Sequence, residues 1–169
     1  MQIQLSFFGS IAFSLVAWGV VAARYVWPEL RLRQPTEALR PLLILHSFRF
    51  MGLAFLIPGV VSPDLPSAFA RSAALGDIIA ATLALLSLLL LPSRPGVFTT
   101  WIFNLWGTGD LLNAFYQANH SGLLPGQLGA AYFIPTLVVP LLLITHGITF
   151  RVLLHCRHEA TMATSPHAM

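Results

Sequence analysis

No lysine occurs in this chain, cysteine occurs once, at Cys156, and charged residues make up only 9% of its 169 positions. The shortage of charge excludes the most. Soluble domains carry about 25% charged residues, and a water-exposed surface cannot be built from so few. Lipid must therefore cover most of the molecule. A single cysteine excludes an intramolecular disulfide framework and any Cys-x-x-Cys metal or redox site. A glycine-rich phosphate loop, a nucleophile elbow and a metal-ligand pattern are also missing, so soluble-type catalysis has no support. The net charge of +3 comes from arginines outnumbering six acids. Most arginines stand at the ends of apolar runs, where they orient helices, so the excess is not a nucleic-acid footprint.

What the chain has in abundance is apolar sequence. About 20 helical residues cross ~30 Å of hydrocarbon, and five runs reach that length: 5–26, 41–61, 70–91, 97–117 and 129–154. The first lacks a basic flank and exceeds the apolar core of a signal peptide, so it is expected to be retained as a span. Pro28 and Pro35 punctuate the first connection, Pro63 and Pro66 the second, Pro92 and Pro95 the third, and Gly122 and Pro125 the fourth. Such residues end helices by removing donors and permitting special dihedrals. The sequence thus predicts an all-α integral membrane bundle of five transmembrane helices. It forms a single domain over residues 1–158, with an unstructured cytoplasmic tail over 159–169. The terminal His155-Cys156-Arg157-His158 is too short and isolated for a metal site, and no metal is assigned.

Orientation follows from arginine placement. Arg24, Arg31, Arg33, Arg40, Arg94, Arg151 and Arg157 fall on one side and only Arg71 on the other. The basic side faces the cytoplasm, which puts the N-terminus outside and the C-terminus inside.

The polar residues inside these runs carry the chemistry. His46 and Arg49 lie in the second, Asp77 in the third, Asn104, Asp110 and Asn113 in the fourth, and His146 in the fifth. An ionised side chain at the bilayer centre costs at least ~2.5–3.5 kcal/mol, so such groups persist by facing one another or a water-filled cavity. His46 and Arg49 share a face as an i, i+3 pair. Asp77 falls in a stripe with Ala73, Ala80, Ala84 and Ser87, where small residues allow a close neighbour. In the fourth run Trp106, Asp110, Asn113 and Gln117 form one stripe, and Asn104 and Thr108 lie opposite, towards another contact. Depth, at ~1.5 Å per residue, places Arg49 within reach of Asp110 and makes Asp77 reachable only with favourable tilt. Arg49 against two aspartates leaves one negative charge. The layer is therefore expected to hold one further proton, on Asp77 as the carboxyl more distant from Arg49, or on a histidine. Pro135 and Pro140 free backbone carbonyls inside the fifth run, which are tolerated where they find a partner or line a cavity.

Phe48-Arg49 with Gly52, Leu65-Pro66 with Phe69-Ala70, Gly76-Asp77, and Asn104 with Gly107, Asp110 and Leu111 form a pattern between His46 and Ala114. In these pieces the chain resembles a family of uncharacterised bacterial polytopic membrane proteins. The resemblance implies a multi-pass protein of the bacterial inner membrane and supplies no activity. The outer two runs lie outside it.

The functional expectation is a polar pocket that binds or processes a small lipophilic ligand by acid–base chemistry. His46, Arg49, Asp77, Asp110 and His146 are the catalytic candidates, with Arg49 anchoring an acidic or carbonyl group. Trp106, Asn113, Asn104 and Tyr132 are the ligand-binding candidates. One alternative is a small proton-coupled transporter acting as a dimer. Another is an electron-transfer subunit handling a quinone, or b-type haem ligated axially by His46 and His146. A third is a non-catalytic accessory subunit. No cofactor is assigned apart from haem in that alternative. The expected partners are membrane lipid, the lipophilic ligand, and a second copy or a larger membrane complex.

The arginine bias makes a direct prediction. Green fluorescent protein fused at the C-terminus should fluoresce, and alkaline phosphatase fused there should be inactive. The reverse pattern would contradict both the orientation and the odd number of spans.

Overall fold

The computed structural model describes residues 2–164, with side chains described as far as residue 155. Among these residues the regular elements are all helical and no sheet forms. Helix α1 runs over Gln2–Leu30, α2 over Pro35–Leu56 and α3 over Ser67–Leu90. Helix α4 covers Arg94–His120 and α5 covers Val139–Thr164. Between α4 and α5 lie a 3₁₀ stretch, Pro125–Tyr132, and a π-helical turn, Ile134–Val138. Four segments are long and apolar enough to cross a membrane: α1, α2, α3 and Ile134–His155. Helix α4 is comparably long, but Asn104, Asp110, Asn113 and Gln117 dilute its apolar character.

The helix ends differ from those expected in ways the local chemistry explains. The second helix begins at Pro35, whose missing N–H is no loss at the first helical position, and it carries Pro41 in its interior. It ends at Leu56, short of the expected 61, because Gly59 turns the chain with a φ of 85°. The fifth begins later than 129. Gly129, with φ 52°, bends the 3₁₀ stretch so that Ala130 N–H donates to the Val60 carbonyl at 2.8 Å. A Cβ at Gly129 would run into that carbonyl. The backbone stays helical to Thr164, past the point where the tail was expected to begin, and 165–169 lie outside the described residues.

Helix α2 changes character along its length. From Phe48 to Leu56 it tightens into nine residues of 3₁₀ helix, although runs beyond three or four residues are uncommon. In that geometry residues three apart eclipse, so Arg49, Gly52 and Phe55 fall on one line, and all three are buried. Helix α3 buries the small residues Ala73, Ala80, Ala84 and Ser87 with Asp77 among them, which allows α4 and the 3₁₀ part of α2 to lie close on either side. The interior face of α4 consists of Gly96, Thr100, Phe103, Asn104, Gly107 and Leu111.

Two apolar clusters form. One, near the Arg94 end of α4, contains Leu39, Leu43, Phe103, Val152 and Leu153. The other, near the opposite end, contains Phe55, Phe69, Leu128, Ala131 and Ile134. The polar residues lie between them. Helix α1 is peripheral and packs against the π turn and α5. There Trp18 donates its indole N–H to the Leu137 carbonyl at 3.1 Å, a partner for the backbone that the two prolines loosen. At the other end of α1 the Arg151 guanidinium stacks 4.1 Å above the Trp27 ring.

Candidate functional site

Arg49 is 1% exposed, and all three of its guanidinium nitrogens lie against acceptors. Nε donates to Asp77 Oδ1 at 2.8 Å, and Nη2 lies 2.7 Å from the same oxygen. Nη2 donates to Asp110 Oδ2 at 2.6 Å. Nη1 reaches the Gly107 carbonyl at 3.3 Å and His146 Nε2 at 3.2 Å. Guanidinium nitrogens can only donate, so His146 Nε2 must offer a lone pair. Its proton is on Nδ1, which lies 2.6 Å from Asn104 Oδ1. The Asn104 amide group in turn reaches the His146 carbonyl at 3.3 Å, which fixes Oδ1 as the acceptor. The bonding defines His146 as a neutral ring.

His46 extends this row. Its ring centre lies 4.2 Å from that of His146 and 5.0 Å from that of Phe103. Nε2 sits 3.0 Å from Thr145 Oγ1, whose own proton is directed to the carbonyl of Leu141 or Leu142. Nε2 is therefore the donor, and Nδ1 is left with no partner in the protein. Two imidazoles in contact cannot hold a porphyrin between them, and three of their four nitrogens are already committed. The histidines do not fit axial haem ligation.

Three glycines make the cluster sterically feasible. A Cβ at Gly52 would collide with the Asp77 carboxylate, and one at Gly76 with the Asp110 carboxylate. At Gly107 it would stand 2.6 Å from His146 Cε1 and 2.8 Å from Arg49 Nη1. Each is closer than real Cβ contacts allow. Glycine on α2, α3 and α4 thus opens the space in which a guanidinium, two carboxylates and an imidazole meet.

The five catalytic candidates of the sequence come together, with one change of geometry. Arg49 reaches Asp77 as readily as Asp110, because the 3₁₀ twist turns its side chain between α3 and α4. Asp77 has two guanidinium nitrogens against one oxygen, and Asp110 has one. Among the ligand-binding candidates Asn104 is central: it faces the interior of α4 and sets the His146 tautomer. The others are elsewhere. Trp106 is 45% exposed and lies over the α3–α4 seam, its indole N–H 3.4 Å from the Gly76 carbonyl. Asn113 is exposed and donates to Ser72 Oγ at 3.1 Å. Tyr132 packs edge-on against Phe7, with its hydroxyl 3.4 Å from Ser10 Oγ, away from the cluster.

A cavity of about 500 Å³ ends on the two carboxylates. It lies towards the Asn119 end of α4, between the start of α1, α3, α4 and the 3₁₀ stretch. Its walls include Phe7, Phe8, Phe55, Phe69 and Phe115, with Asp77 and Asp110 as its ionisable groups among the described residues. Arg49 and both histidines lie behind the aspartates and do not line it. These walls come from segments far apart in sequence, and the expected residues did not include them. Phe7 and Phe8 lie on α1, which carries none of the residues that the sequence assigned to the cluster, and gave no sign of it.

The fold and site define an all-helical protein with a buried Arg–Asp–His cluster at the base of an aromatic-walled cavity. A family described as a domain of unknown function, DUF8737, matches residues 6–154, and the chain belongs to that family. Neither a curated protein nor a solved structure matches it.

The two Gly-Asp pairs provide a test of this packing. Gly76 touches the Asp110 carboxylate, whereas nothing lies within 4 Å of a Cβ at Gly109. Gly109→Ala should stabilise by about 0.5–1 kcal/mol through helix propensity, and Gly76→Ala should destabilise by about 1–3 kcal/mol through overpacking. Thermal unfolding in a neutral detergent reads both; equal shifts would place Asp110 away from Gly76.

Proposed function

We propose that this chain is a five-span protein of the bacterial inner membrane whose cavity binds a small lipophilic molecule. The observation that carries the reading is the cavity itself: phenylalanine walls that lead to Asp77 and Asp110, with the carboxylates fixed from behind by Arg49. Ligand sites are typically concave, about 300–1,000 Å³, mostly apolar and equipped with a few convergent polar groups.

The fifth span of this proposal is α4. Its 27 residues extend ~40 Å at 1.5 Å per residue, enough to cross hydrocarbon, and its polar side chains are directed to neighbours. Asn104 bonds His146, Asp110 bonds Arg49 and Asn113 bonds Ser72. With the cytoplasm on the arginine-rich side, the cavity opens towards the outer face. Gln4, Asn119 and Gly122, all exposed, line it at that end.

The site's chemistry lies with Asp110. One of its oxygens is committed to Arg49, and the carboxylate borders the cavity, so it can exchange a proton with a bound molecule. Arg49 does not touch the cavity, so the anchor offered to a ligand is a carboxylate and not a guanidinium. His146 and Asn104 are positioning residues, because they hold Arg49 and through it both aspartates. Passage through a single copy is disfavoured by Phe103, Leu39 and Leu43, which close the bundle below His46 with apolar side chains. Binding therefore has better support than transport.

Protein purified in a mild neutral detergent should yield a lipophilic molecule on solvent extraction and mass spectrometry. Ala114→Trp, which fills the cavity and leaves the charged cluster alone, should lose it without losing the fold. An identical extract from both would overturn the reading.

A further inference from the structure

The charge at the base of the cavity specifies the class of ligand more narrowly. This inference rests on the proposed pocket. Arg49 contributes one positive charge, and Asp77 and Asp110 contribute one negative charge each. His146 is neutral by its bonding, with Nδ1–H given to Asn104 and Nε2 accepting from Arg49. His46 presents Nε2–H to Thr145 and an unprotonated Nδ1. The cluster is thus one positive charge short of neutrality, in surroundings where an unbalanced charge is costly to bury.

The groups that face Asp110 leave few ways to supply that charge from within the protein. From α2 comes Arg49, already bonded to both carboxylates; from α3 comes Asp77; from α5 comes His146, behind the guanidinium and committed to it. Helix α1 and the 3₁₀ stretch bring no ionisable group to the cavity; the polar side chains they and the end of α4 add are neutral amides such as Gln4 and Asn119. His46, whose Nδ1 has no partner, packs on Phe103 and His146 with no carboxylate against it, so a proton is disfavoured there and the balancing charge comes through the cavity. Its walls suit a cation as well, because phenylalanine faces attract a positive charge, and more strongly when water is excluded.

We propose that the cavity takes a lipophilic monocation, an amine or quaternary ammonium type of molecule with its charged centre against Asp110, and that this cation and a proton compete for the same place. When the cation enters, the Asp110 carboxyl O–H bond breaks and one proton leaves to solvent. When the cation departs, one proton returns. No other bond changes. Occupancy by either keeps the cluster neutral, and occupancy by both does not.

Three probes of similar shape and opposite charge test this on the full chain in dodecyl maltoside: tetraphenylphosphonium, neutral triphenylphosphine oxide and tetraphenylborate. Calorimetry should show the cation binding at least tenfold more tightly than the neutral probe, with the anion weakest. Its affinity should rise with pH by up to tenfold per unit, the slope for one displaced proton. A pH dye in weak buffer should report close to one proton released per cation bound. Asp110→Asn should abolish the pH dependence and the release, and Ala114→Trp should abolish binding of every probe. If Asp110→Asn does not fold, proton release by the parent protein decides. Equal, pH-independent affinity for cation and neutral probe, lost in Ala114→Trp, would overturn the cation proposal and leave the pocket intact. Binding of none, or binding that survives Ala114→Trp, would overturn both.

Discussion

A guanidinium removed from water must have every donor satisfied and its charge matched, and Arg49 imposes that demand on four helices at once. Its acceptors come from α3, through Asp77, from α4, through Asp110 and the Gly107 carbonyl, and from α5, through His146. No one of these helices can shift without stranding a donor in the interior, where an unmet hydrogen bond costs about 1–3 kcal/mol and more for a charged group. The demand also explains the local irregularities. The 3₁₀ twist of α2 aims the side chain, and Gly52, Gly76 and Gly107 provide the room. Asn104 fixes the ring that completes the set.

The same cluster divides the apolar interior in two. Below it Leu39, Leu43, Phe103 and Leu153 pack as one buried apolar cluster; above it the 3₁₀ stretch and the start of α1 stand away from α3 and α4 and leave the cavity. Separation of the anchoring charge from the accessible charge follows directly. Arg49 is enclosed and shapes the site, while the aspartates it holds are what a visiting molecule meets. In the proposed membrane setting this arrangement lets a strongly polar element persist in an otherwise apolar bundle, because the cluster is satisfied internally apart from one charge at the cavity.

Much of this was legible in the sequence, for identifiable reasons. Long apolar runs punctuated by proline and glycine set the helices, and rare ionisable residues within them stood out against an apolar background. The small-residue stripe of α3 correctly turned Asp77 inward. The inner face of α4 was not legible. That helix carries polar and apolar residues all round, so Trp106 and Asn113 looked as interior as Asn104, and only its neighbours decide between them. The reach of Arg49 to Asp77 was underestimated because depth counting assumes an even α-helical rise, and α2 departs from it at Phe48. Tyr132 was placed by the expected fifth helix, whereas Gly129 bends that segment away to meet Val60. The cavity depends on how segments distant in sequence fail to fill space, which no local pattern encodes. Yet Gly52, Gly76 and Gly107, each close in sequence to a charged or polar residue of the cluster, were a signal that side chains of that size needed room.

The central claim is that Arg49, Asp77 and Asp110 form one mutually dependent charged unit, and thermal unfolding of a graded set of variants tests it most directly. Removing one member of a buried ion network strands the rest and costs about 3–5 kcal/mol, whereas replacing all members together can be neutral or even stabilising. Arg49→Met alone should therefore be the least stable variant, and the combination Arg49→Met, Asp77→Asn and Asp110→Asn should recover a substantial part of the loss. If the three substitutions instead destabilise additively, so that the triple variant unfolds at the lowest temperature of all, the residues act independently and the account of the site is wrong.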